Sequence, residues 1–309
     1  MSGVDKTVPS PESDFQRALY ANWGERLAKY PDLDLRTVRN VLAELHFCTI
    51  EPEGVSYAEI QAGESAAMWC IPSGCDPSRV LLYFHGGSCV VNTMHTHRKL
   101  AGHLAKATGC RALVLDYKLA PEHPHPSQLN ESVAAFEWLL SQGIEPGHIA
   151  TIGDSAGGWL SIAVALKQRD RGRSMPAAMV PLSPYVDMEL VGGTMVSNAE
   201  VDALVTVPLM HYFTDMFLAG TSPKDPDVNP LYADLTGLPP AYVEVGGYEM
   251  LVDDAVRIVE QMEKAGVEVQ LRIEPGQQHV FQLMAGRAPE ADRSVADIGA
   301  WLRPRLGLA

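Results

Sequence analysis

A serine stands at the centre of the string GDSAGG, residues 153–158, where its hydroxyl could act as a nucleophile. The apolar run 148–152 precedes this string and the helix-like segment 156–169 follows it, which predicts a strand, a sharp turn and a helix. Such a nucleophile elbow exposes a serine hydroxyl at the apex of a strained turn, and its glycines avoid Cβ clashes. We therefore predict that Ser155 is a nucleophile; the alternative is a merely structural tight turn.

A second glycine-rich turn, His85-Gly86-Gly87-Ser88, directly follows the apolar run 80–84. Two consecutive glycines let backbone amides face a ligand, where they stabilise the negative oxygen of a tetrahedral intermediate. The loss of one such donor typically costs about 2.7–4 kcal/mol of transition-state stabilisation. We predict an oxyanion hole made by the amides of Gly86, Gly87 and Ala156, although such a turn can also be a simple connection.

A serine hydroxyl needs a neighbouring base, usually an imidazole oriented by a carboxylate. Among ten histidines, His279 follows the apolar run 267–273 and a Pro275-Gly276 turn, which places it at the carboxyl edge of the last predicted strand. We predict that His279 is the base. The alternative is a histidine in a surface loop.

The carboxylate is sought after the apolar run 241–246. Glu249 is the first acid after this run, and we predict that it orients the histidine. Asp253 and Asp254 are predicted in the first turn of the next helix, where acids stabilise the helix dipole. Asp253 remains an alternative for the acid of the triad.

These residues must be positioned by a sheet, because most of them follow short apolar runs. Helix-length segments separate the runs after the first pair, which predicts a mostly parallel sheet with helices on both faces, opened by an antiparallel hairpin. Residues that carry chemistry then lie at the carboxyl ends of the strands. The order serine, acid, histidine is that of the α/β-hydrolase fold, with eight predicted strands. The runs are 55–60, 66–71, 79–84, 110–115, 148–152, 178–182, 241–246 and 267–273.

Two further segments show helical patterns outside this alternation. Residues 12–47 contain two apolar stripes split by Pro31, and the segment 187–235 contains a stripe that begins at Thr206 and Pro208. We expect one domain, residues 1–309, with a helical cap formed by 1–50 and 187–235. Apolar residues in the cap and near the strand ends predict a substrate pocket, with ordinary core packing as the alternative for each of them. They are Trp23, Met94, Trp159, Tyr185, Met210, Phe213, Phe217 and Phe281.

Composition excludes several classes of protein. A net charge of -14 would repel a phosphate backbone, so nucleic acid is not expected as a partner. The sequence contains neither a signal peptide pattern nor eighteen consecutive apolar residues, and we expect a cytoplasmic protein without a membrane segment. Five scattered cysteines predict no disulfide framework. The pairs His95-x-His97 and His123-x-His125 lack an acidic partner at metal-ligand spacing, and we expect exposed loop histidines and no metal.

Six strings between about residues 80 and 285 form a shared pattern: His85-Gly86-Gly87, DYKLAPE at 116–122, GDSAGG at 153–158, Leu182-Ser183-Pro184, the segment 249–254 and His279-Val280-Phe281. This pattern resembles the hormone-sensitive lipase family, the bacterial family IV esterases. The resemblance implies an ester hydrolase with a helical cap and a triad, without a metal or organic cofactor. It also implies that Asp116, Glu122 and Asp154 brace the oxyanion loop. Two positions depart from the family pattern, because Ser88 stands where a third glycine is common and Glu249 where aspartate is commoner.

The expected reaction is acyl transfer in two steps, with a small-molecule ester as substrate and a covalent acyl-enzyme. Short-chain esters are expected, and the resemblance makes lactones or small cyclic esters plausible. Alternatives are a lactone-specific hydrolase, an aryl amidase or formamidase, and a noncatalytic small-molecule-binding protein such as the plant gibberellin receptors, which resemble this fold but lack the histidine. The presence of His279 argues against the last class. A homodimer through an edge strand or helix is compatible with the resemblance, but no residue decides it.

Overall fold

The computed structural model describes residues 9–30 and 32–309. Eight strands form one sheet: β1 Val55–Ala62, β2 Ser65–Pro72, β3 Asp76–Phe84, β4 Cys110–Asp116, β5 Ile149–Asp154, β6 Ala178–Leu182, β7 Ala241–Gly246 and β8 Val269–Glu274. Their order across the sheet is β1-β2-β4-β3-β5-β6-β7-β8. β2 is antiparallel to both of its neighbours, and the six strands β3 to β8 are mutually parallel. The predicted mostly parallel sheet with an antiparallel hairpin is therefore confirmed.

The central strands were recognisable because both of their faces are covered. Residues 80–84 of β3 and all of β5 are buried, and a strand buried on both sides has a continuous apolar run instead of an alternating pattern. β3 begins three residues earlier than its apolar run because its first residues pair irregularly, with a register shift between Asp76 and Val80. β8 lies at the sheet edge and is only partly buried.

Helices cover the sheet and form the two segments outside it. The segment 156–169 is helical as predicted, as are both stripes before residue 48, although the second stripe ends in a 3₁₀ helix at Ala43–Phe47. Thr206 caps its helix by accepting a hydrogen bond from the amide of Leu209, which confirms the predicted start. The α-helices of the described residues are α1 Asp14–Lys29, α2 Leu35–Leu42, α3 Met94–Thr108, α4 Ser127–Ser141, α5 Ala156–Asp170, α6 Thr194–Ser197, α7 Val207–Leu218, α8 Val252–Lys264 and α9 Pro289–Arg305.

Within the ranges 9–30 and 32–309, no helix combines the length and apolar character needed to cross a bilayer. The helices α1, α2 and α7 lie on the carboxyl side of the parallel strands, where their side chains share a cavity with Ser155.

Candidate active site

Ser155 lies at the apex of a sharp turn between β5 and α5. Its backbone has φ 54° and ψ -118°, a left-handed conformation that is strained for a residue with a side chain. A Cβ at Gly157 would overlap the carbonyl oxygen of Phe84, so only glycine lets the helix approach β3 this closely. The predicted elbow is therefore present, and it places Ser155 on the wall of a cavity.

His279 is held by Glu249. The distance from His279 Nδ1 to Glu249 Oε2 is 2.7 Å, and the carboxylate is fully buried. The second carboxylate oxygen, Oε1, accepts hydrogen bonds from the Ser183 hydroxyl at 2.6 Å and from the Gly246 amide at 2.5 Å. Because the carboxylate accepts, Nδ1 donates to it, and Nε2 is left as the ring acceptor.

This contact changes the charge preference of the imidazole. Burial lowers the pKa of His279, but the carboxylate of Glu249 outweighs burial, and the pKa is raised above its usual value of 6.5. Burial raises the pKa of Glu249, against the opposing effects of His279 and of the hydrogen bonds from Ser183 and Gly246. The arrangement stabilises a positive charge on the imidazole if it takes up a proton.

The other two acids of this segment face away from His279. Asp253 accepts a hydrogen bond from the amide of Thr194 at 3.1 Å. Asp254 accepts hydrogen bonds from the amides of residues 186 and 187. Both lie in the first turn of α8 as predicted, and of the three acids it is Glu249 that contacts His279.

Ser155 and His279 line the same cavity. No hydrogen bond joins Ser155 Oγ to His279 Nε2 in this structure. Such contacts are often long in unliganded hydrolases and tighten when substrate binds. The arrangement brings the two side chains of the predicted nucleophile and base to one surface.

The predicted oxyanion donors lie beside the serine. Gly87 lines the cavity, a Cβ at Gly86 would come within 3.1 Å of Ser155 Cβ, and Ala156 is the first residue of α5. No hydrogen bond between described residues uses the amides of Gly86, Gly87 or Ala156 as donors. These amides are free for a ligand. The loop then turns through Ser88, at φ 52°, where the family pattern commonly has a third glycine.

Two acids support this loop. Glu122 forms a bidentate ion pair with Arg39 of α2, with distances of 2.8 and 2.7 Å, and the same guanidinium donates to the carbonyl oxygen of Val90 at 2.8 Å. The hydrogen bonds from Arg39 lower the pKa of Glu122 to about 2. Asp116 accepts from the first amide of α3, that of Met94, at 2.8 Å. These contacts fit the bracing roles that the resemblance implies.

The cavity beside Ser155 has a volume of about 70 Å³ and is lined mainly by apolar side chains. Three of the eight predicted pocket residues line it: Trp23, Met210 and Phe213. Besides Gly87, Ser155 and His279, the remaining lining residues were not predicted to lie in the pocket. They come from both outer segments, from the end of β5 and from the loops after β3 and β8. These are Tyr20, Leu42, Leu45, Ser88, Val91, Asn92, Asp154, Leu204, Val205, Leu209, Val280 and Leu283.

The other five predicted pocket residues do not line this cavity, and their predicted placement is corrected: Met94, Trp159, Tyr185, Phe217 and Phe281. All are buried. The indole of Trp159 donates to the Asp227 carbonyl at 3.2 Å and packs edge to face against Phe217, with ring centroids 5.3 Å apart. The hydroxyl of Tyr185 lies 2.6 Å from that of Thr214. Proximity to a strand end predicted their region but not the direction of their side chains.

Helix α1 contributes contacts that the sequence analysis missed. The amide of Gln16 and the hydroxyl of Tyr20 each donate to the carbonyl oxygen of His279, both at 3.0 Å. In the second outer segment, the amide of Ala203 donates to Gln278 Oε1 at 2.8 Å. Both outer segments therefore hold the loop that carries His279. The only sequence signal for the α1 contacts was the spacing of Gln16 and Tyr20, two polar side chains four residues apart on a predicted helix.

The expectation of exposed loop histidines fails for three of the four: His95 is exposed but lies in α3, His125 lies in a loop but is half-buried, and His97 fails on both counts. His97 lies in α3, is fully buried and has Nε2 3.2 Å from Asp154 Oδ2, next to the serine. His95, two residues away, is exposed. The prediction of an exposed loop histidine was wrong for His97, because α3 packs one of its faces against the sheet and only the tertiary contact provides its acidic partner.

Known proteins share this architecture. Residues 81–283 match the model of a family described as alpha/beta hydrolase fold. A crystal structure of an esterase from the bacterial hormone-sensitive lipase family superposes with a TM-score of 0.93 at 37% identity, covering 97% of this chain and 100% of the other. The chain belongs to the bacterial hormone-sensitive lipase family of α/β-hydrolases. The predicted α/β-hydrolase fold and the predicted resemblance to the hormone-sensitive lipase family are both confirmed.

Two curated relatives of this α/β-hydrolase are similar over most of their length. An acetyl-hydrolase of Streptomyces hygroscopicus is 34% identical over 296 residues, which cover 90% of this chain and 98% of the relative. An esterase of Acinetobacter venetianus is 36% identical over 250 residues, covering 79% of this chain and 78% of the relative. A crystal structure of EstE5 soaked with p-nitrophenyl butyrate has a TM-score of 0.89 at 31% identity, covering 96% and 99%.

Proposed function

We propose that this chain is a serine carboxylic ester hydrolase that acts on short-chain or small cyclic esters. The class of enzyme, an ester hydrolase, is confirmed by relatives named esterase and acetyl-hydrolase. The observation that carries the proposal is that Ser155, at a strained elbow, and His279, held by Glu249, line one small cavity.

The proposed mechanism passes through an acyl-enzyme. Ser155 Oγ attacks the ester carbonyl carbon while His279 Nε2 takes the hydroxyl proton, and the negative oxygen accepts hydrogen bonds from the free amides of the oxyanion loop and Ala156. His279 gives the proton to the departing alcohol. Water then attacks the acyl carbon with His279 again as base, and Ser155 is released. Glu249 stabilises the imidazolium in both steps.

We also propose that the two outer segments, 1–50 and 187–235, form a cap on a single domain. Its described part supplies Trp23 and Phe213 to the cavity, and Gln16 and Tyr20 hold the carbonyl of His279. Residues 1–8 and Pro31 lie outside the described ranges. A cap that both closes the pocket and positions the base links substrate fit to catalysis.

The size of the cavity supports small substrates. Its volume of about 70 Å³ is less than half that of an apolar cavity of roughly 150 Å³ that admits benzene. For p-nitrophenyl esters of increasing acyl length, we expect kcat/KM to fall at least about tenfold between the butyrate and the decanoate, because surplus methylenes are not accommodated.

The aromatic wall provides a test of this size limit. Phe213→Ala enlarges the cavity and is expected to shift the chain-length optimum towards longer acyl groups. Tyr212→Ala is the matched control, because Tyr212 is exposed and does not line this cavity. Native activity that rises up to the decanoate, or an unchanged profile in Phe213→Ala, would contradict the proposed pocket.

The pKa of His279 predicts a pH dependence. The base must be neutral to accept the serine proton, and the Glu249 carboxylate raises the pKa of His279 above 6.5. Activity is therefore expected to be lost as pH falls through this raised pKa, and the acid limb of kcat/KM should have its midpoint above pH 6.5. A rate profile from pH 5 to 9 measures it. A midpoint below pH 6 would exclude a carboxylate-paired His279 as the base.

A matched pair of acetyl substrates tests the proposed bond. p-Nitrophenyl acetate and p-nitroacetanilide share their acyl and aryl groups and differ in the atom that leaves. We expect turnover of the ester and at least about a hundredfold lower kcat/KM for the anilide, because the amine is the poorer leaving group and needs its own proton donor. Preference for the anilide would favour an amidase, and binding without turnover of either substrate would favour a noncatalytic protein.

A further inference from the structure

A buried histidine and aspartate pair lies directly behind the nucleophile. His97, on α3, has its Nε2 3.2 Å from Oδ2 of Asp154, the residue before Ser155. The other carboxylate oxygen, Oδ1, accepts a hydrogen bond from the hydroxyl of Tyr83 at 2.6 Å. The His97 side chain is fully buried and that of Asp154 is 3% exposed. The proposed chemical steps use neither side chain.

Both ring nitrogens of His97 lie within hydrogen-bond distance of an oxygen atom. The hydroxyl of Thr96 donates its single hydrogen to the carbonyl of Thr93 at 2.7 Å. While this hydrogen points at Thr93, Thr96 Oγ1 can only accept, and a hydrogen on His97 Nδ1, 2.8 Å away, completes this contact. Nε2 faces a carboxylate, which only accepts, so Nε2 carries a hydrogen as well. A ring that donates from both nitrogens, the imidazolium, satisfies all of these contacts.

The aspartate is ionised in the same arrangement. Burial raises the pKa of Asp154, but the charge and hydrogen bond of His97 and the hydroxyl of Tyr83 outweigh burial and hold this pKa below its usual value. A Cβ at Gly86 would overlap Asp154 Oδ2, so this carboxylate packs directly against the oxyanion loop. A negative charge at this place opposes the formation of a second one on the substrate oxygen.

We propose that His97 is a positioning residue of the active site, a buried imidazolium that neutralises Asp154 so that no uncompensated anion lies beside Ser155 and the oxyanion loop. The proposal rests on the proposed ester hydrolase function. It explains why an acid is tolerated next to the nucleophile. The first turn of α3 supplies both Thr96 and His97.

The groups nearest to His97 do not supply the same charge. His85, just after β3, has its ring centroid 5.6 Å from that of His97, and burial, with a further contribution from His97, lowers the pKa of His85 to about 4. His85 is therefore neutral at working pH. The remaining titratable neighbour on β3, Tyr83, donates its hydroxyl to Asp154 and burial raises its pKa. His97 is the cation that balances Asp154.

If His97 balances the charge of Asp154, removal of its charge should change the kinetics. If His97 only fills space, removal of its charge should not change them. His97→Gln keeps an amide donor for Asp154 but removes the positive charge, and we expect kcat to fall at least about tenfold with little change in KM. Asp154 raises the pKa of His279, so an uncompensated Asp154 should also move the acid limb of kcat/KM to higher pH. His95→Gln, at an exposed position two residues away, is the matched control and should leave both quantities unchanged.

The double variant His97→Gln/Asp154→Asn separates the two explanations. It removes both charges, so charge balance predicts that most of the lost kcat returns and that the acid limb moves back towards that of the native protein. If the double variant is as impaired as His97→Gln, or if His97→Gln leaves kcat and the acid limb unchanged, the proposal is wrong. Thermal unfolding of each variant identifies losses that come from a less stable fold.

Nitrogen NMR of the native protein tests the charge without any substrate. With ¹⁵N-labelled histidine at pH 8, where an ordinary histidine is neutral, we expect both ring nitrogens of His97 to carry hydrogens. The His97→Gln spectrum assigns the signals. A His97 ring with one protonated nitrogen would overturn the proposal even if the chain hydrolyses esters, and an imidazolium in a protein without esterase activity would instead count against the proposed function.

Discussion

Ser155→Ala is expected to lower kcat for p-nitrophenyl butyrate by at least about 10⁴-fold, because the acyl-enzyme cannot form without the serine oxygen. The remaining rate would come from the oxyanion amides and from substrate binding. The measurement is steady-state hydrolysis, together with the initial burst of p-nitrophenol that signals acyl-enzyme accumulation. The burst should disappear in the variant.

The fold should survive this change, since alanine removes one oxygen that makes no hydrogen bond to another described residue. We expect the free energy of unfolding to change by no more than about 1 kcal/mol. Ser161→Ala is the matched control: its hydroxyl donates to the carbonyl of Gly158, away from the cavity, and its activity should stay within about threefold of native. Retained turnover in Ser155→Ala would eliminate the proposed mechanism.

Glu249→Gln is expected to produce a loss of comparable size, about 10⁴-fold in kcat, which is the scale seen when the corresponding acid of a serine protease is made an amide. The neutral side-chain amide no longer stabilises the imidazolium. It also lets His279 adopt the tautomer in which Nε2 carries the hydrogen and cannot accept the serine proton. Glutamine fills the same volume, and its oxygen still accepts from Ser183 and Gly246. Stability should therefore change much less than activity.

Asp253→Asn separates the two candidate acids. Asp253 contacts the amide of Thr194 and not His279, so we expect its replacement by asparagine to change kcat less than about tenfold. The acid limb gives a second measurement: Glu249→Gln should move the residual activity to lower pH, because the group that raises the pKa of His279 is gone. A larger loss in Asp253→Asn than in Glu249→Gln would reverse the assignment.

The central part of the sheet could be predicted because its strands lie between two layers of helices. All eight apolar runs are strands, and their ends shift by no more than three residues. A strand buried on both faces needs apolar residues throughout, and this local requirement is visible without knowledge of the partners. The elbow around Ser155 was equally visible, because a strained turn requires small residues at fixed neighbouring positions.

The pocket was only partly predictable for the opposite reason. Trp23 and Trp159 are both buried indoles near the predicted site, yet only Trp23 lines the cavity. Trp159 turns towards Phe217 and the carbonyl of Asp227, which is far away in the sequence. Hydrophobicity predicts that a side chain leaves water, but the direction it takes depends on the packing of neighbours that become adjacent only in the folded chain.

The sequence by itself determined the fold class, and it predicted the serine elbow, the glycine-rich loop and His279 as the base, since each of these depends on residues close together in the chain. Only the tertiary structure shows that Glu249 contacts His279, that His97 is buried beside Asp154, and that Gln16 and Tyr20 reach the carbonyl of His279. These contacts join residues from about thirty to more than two hundred and fifty positions apart. Their geometry is set by how helices and strands pack, because hydrogen bonds between distant residues form only after the packing has brought them within reach.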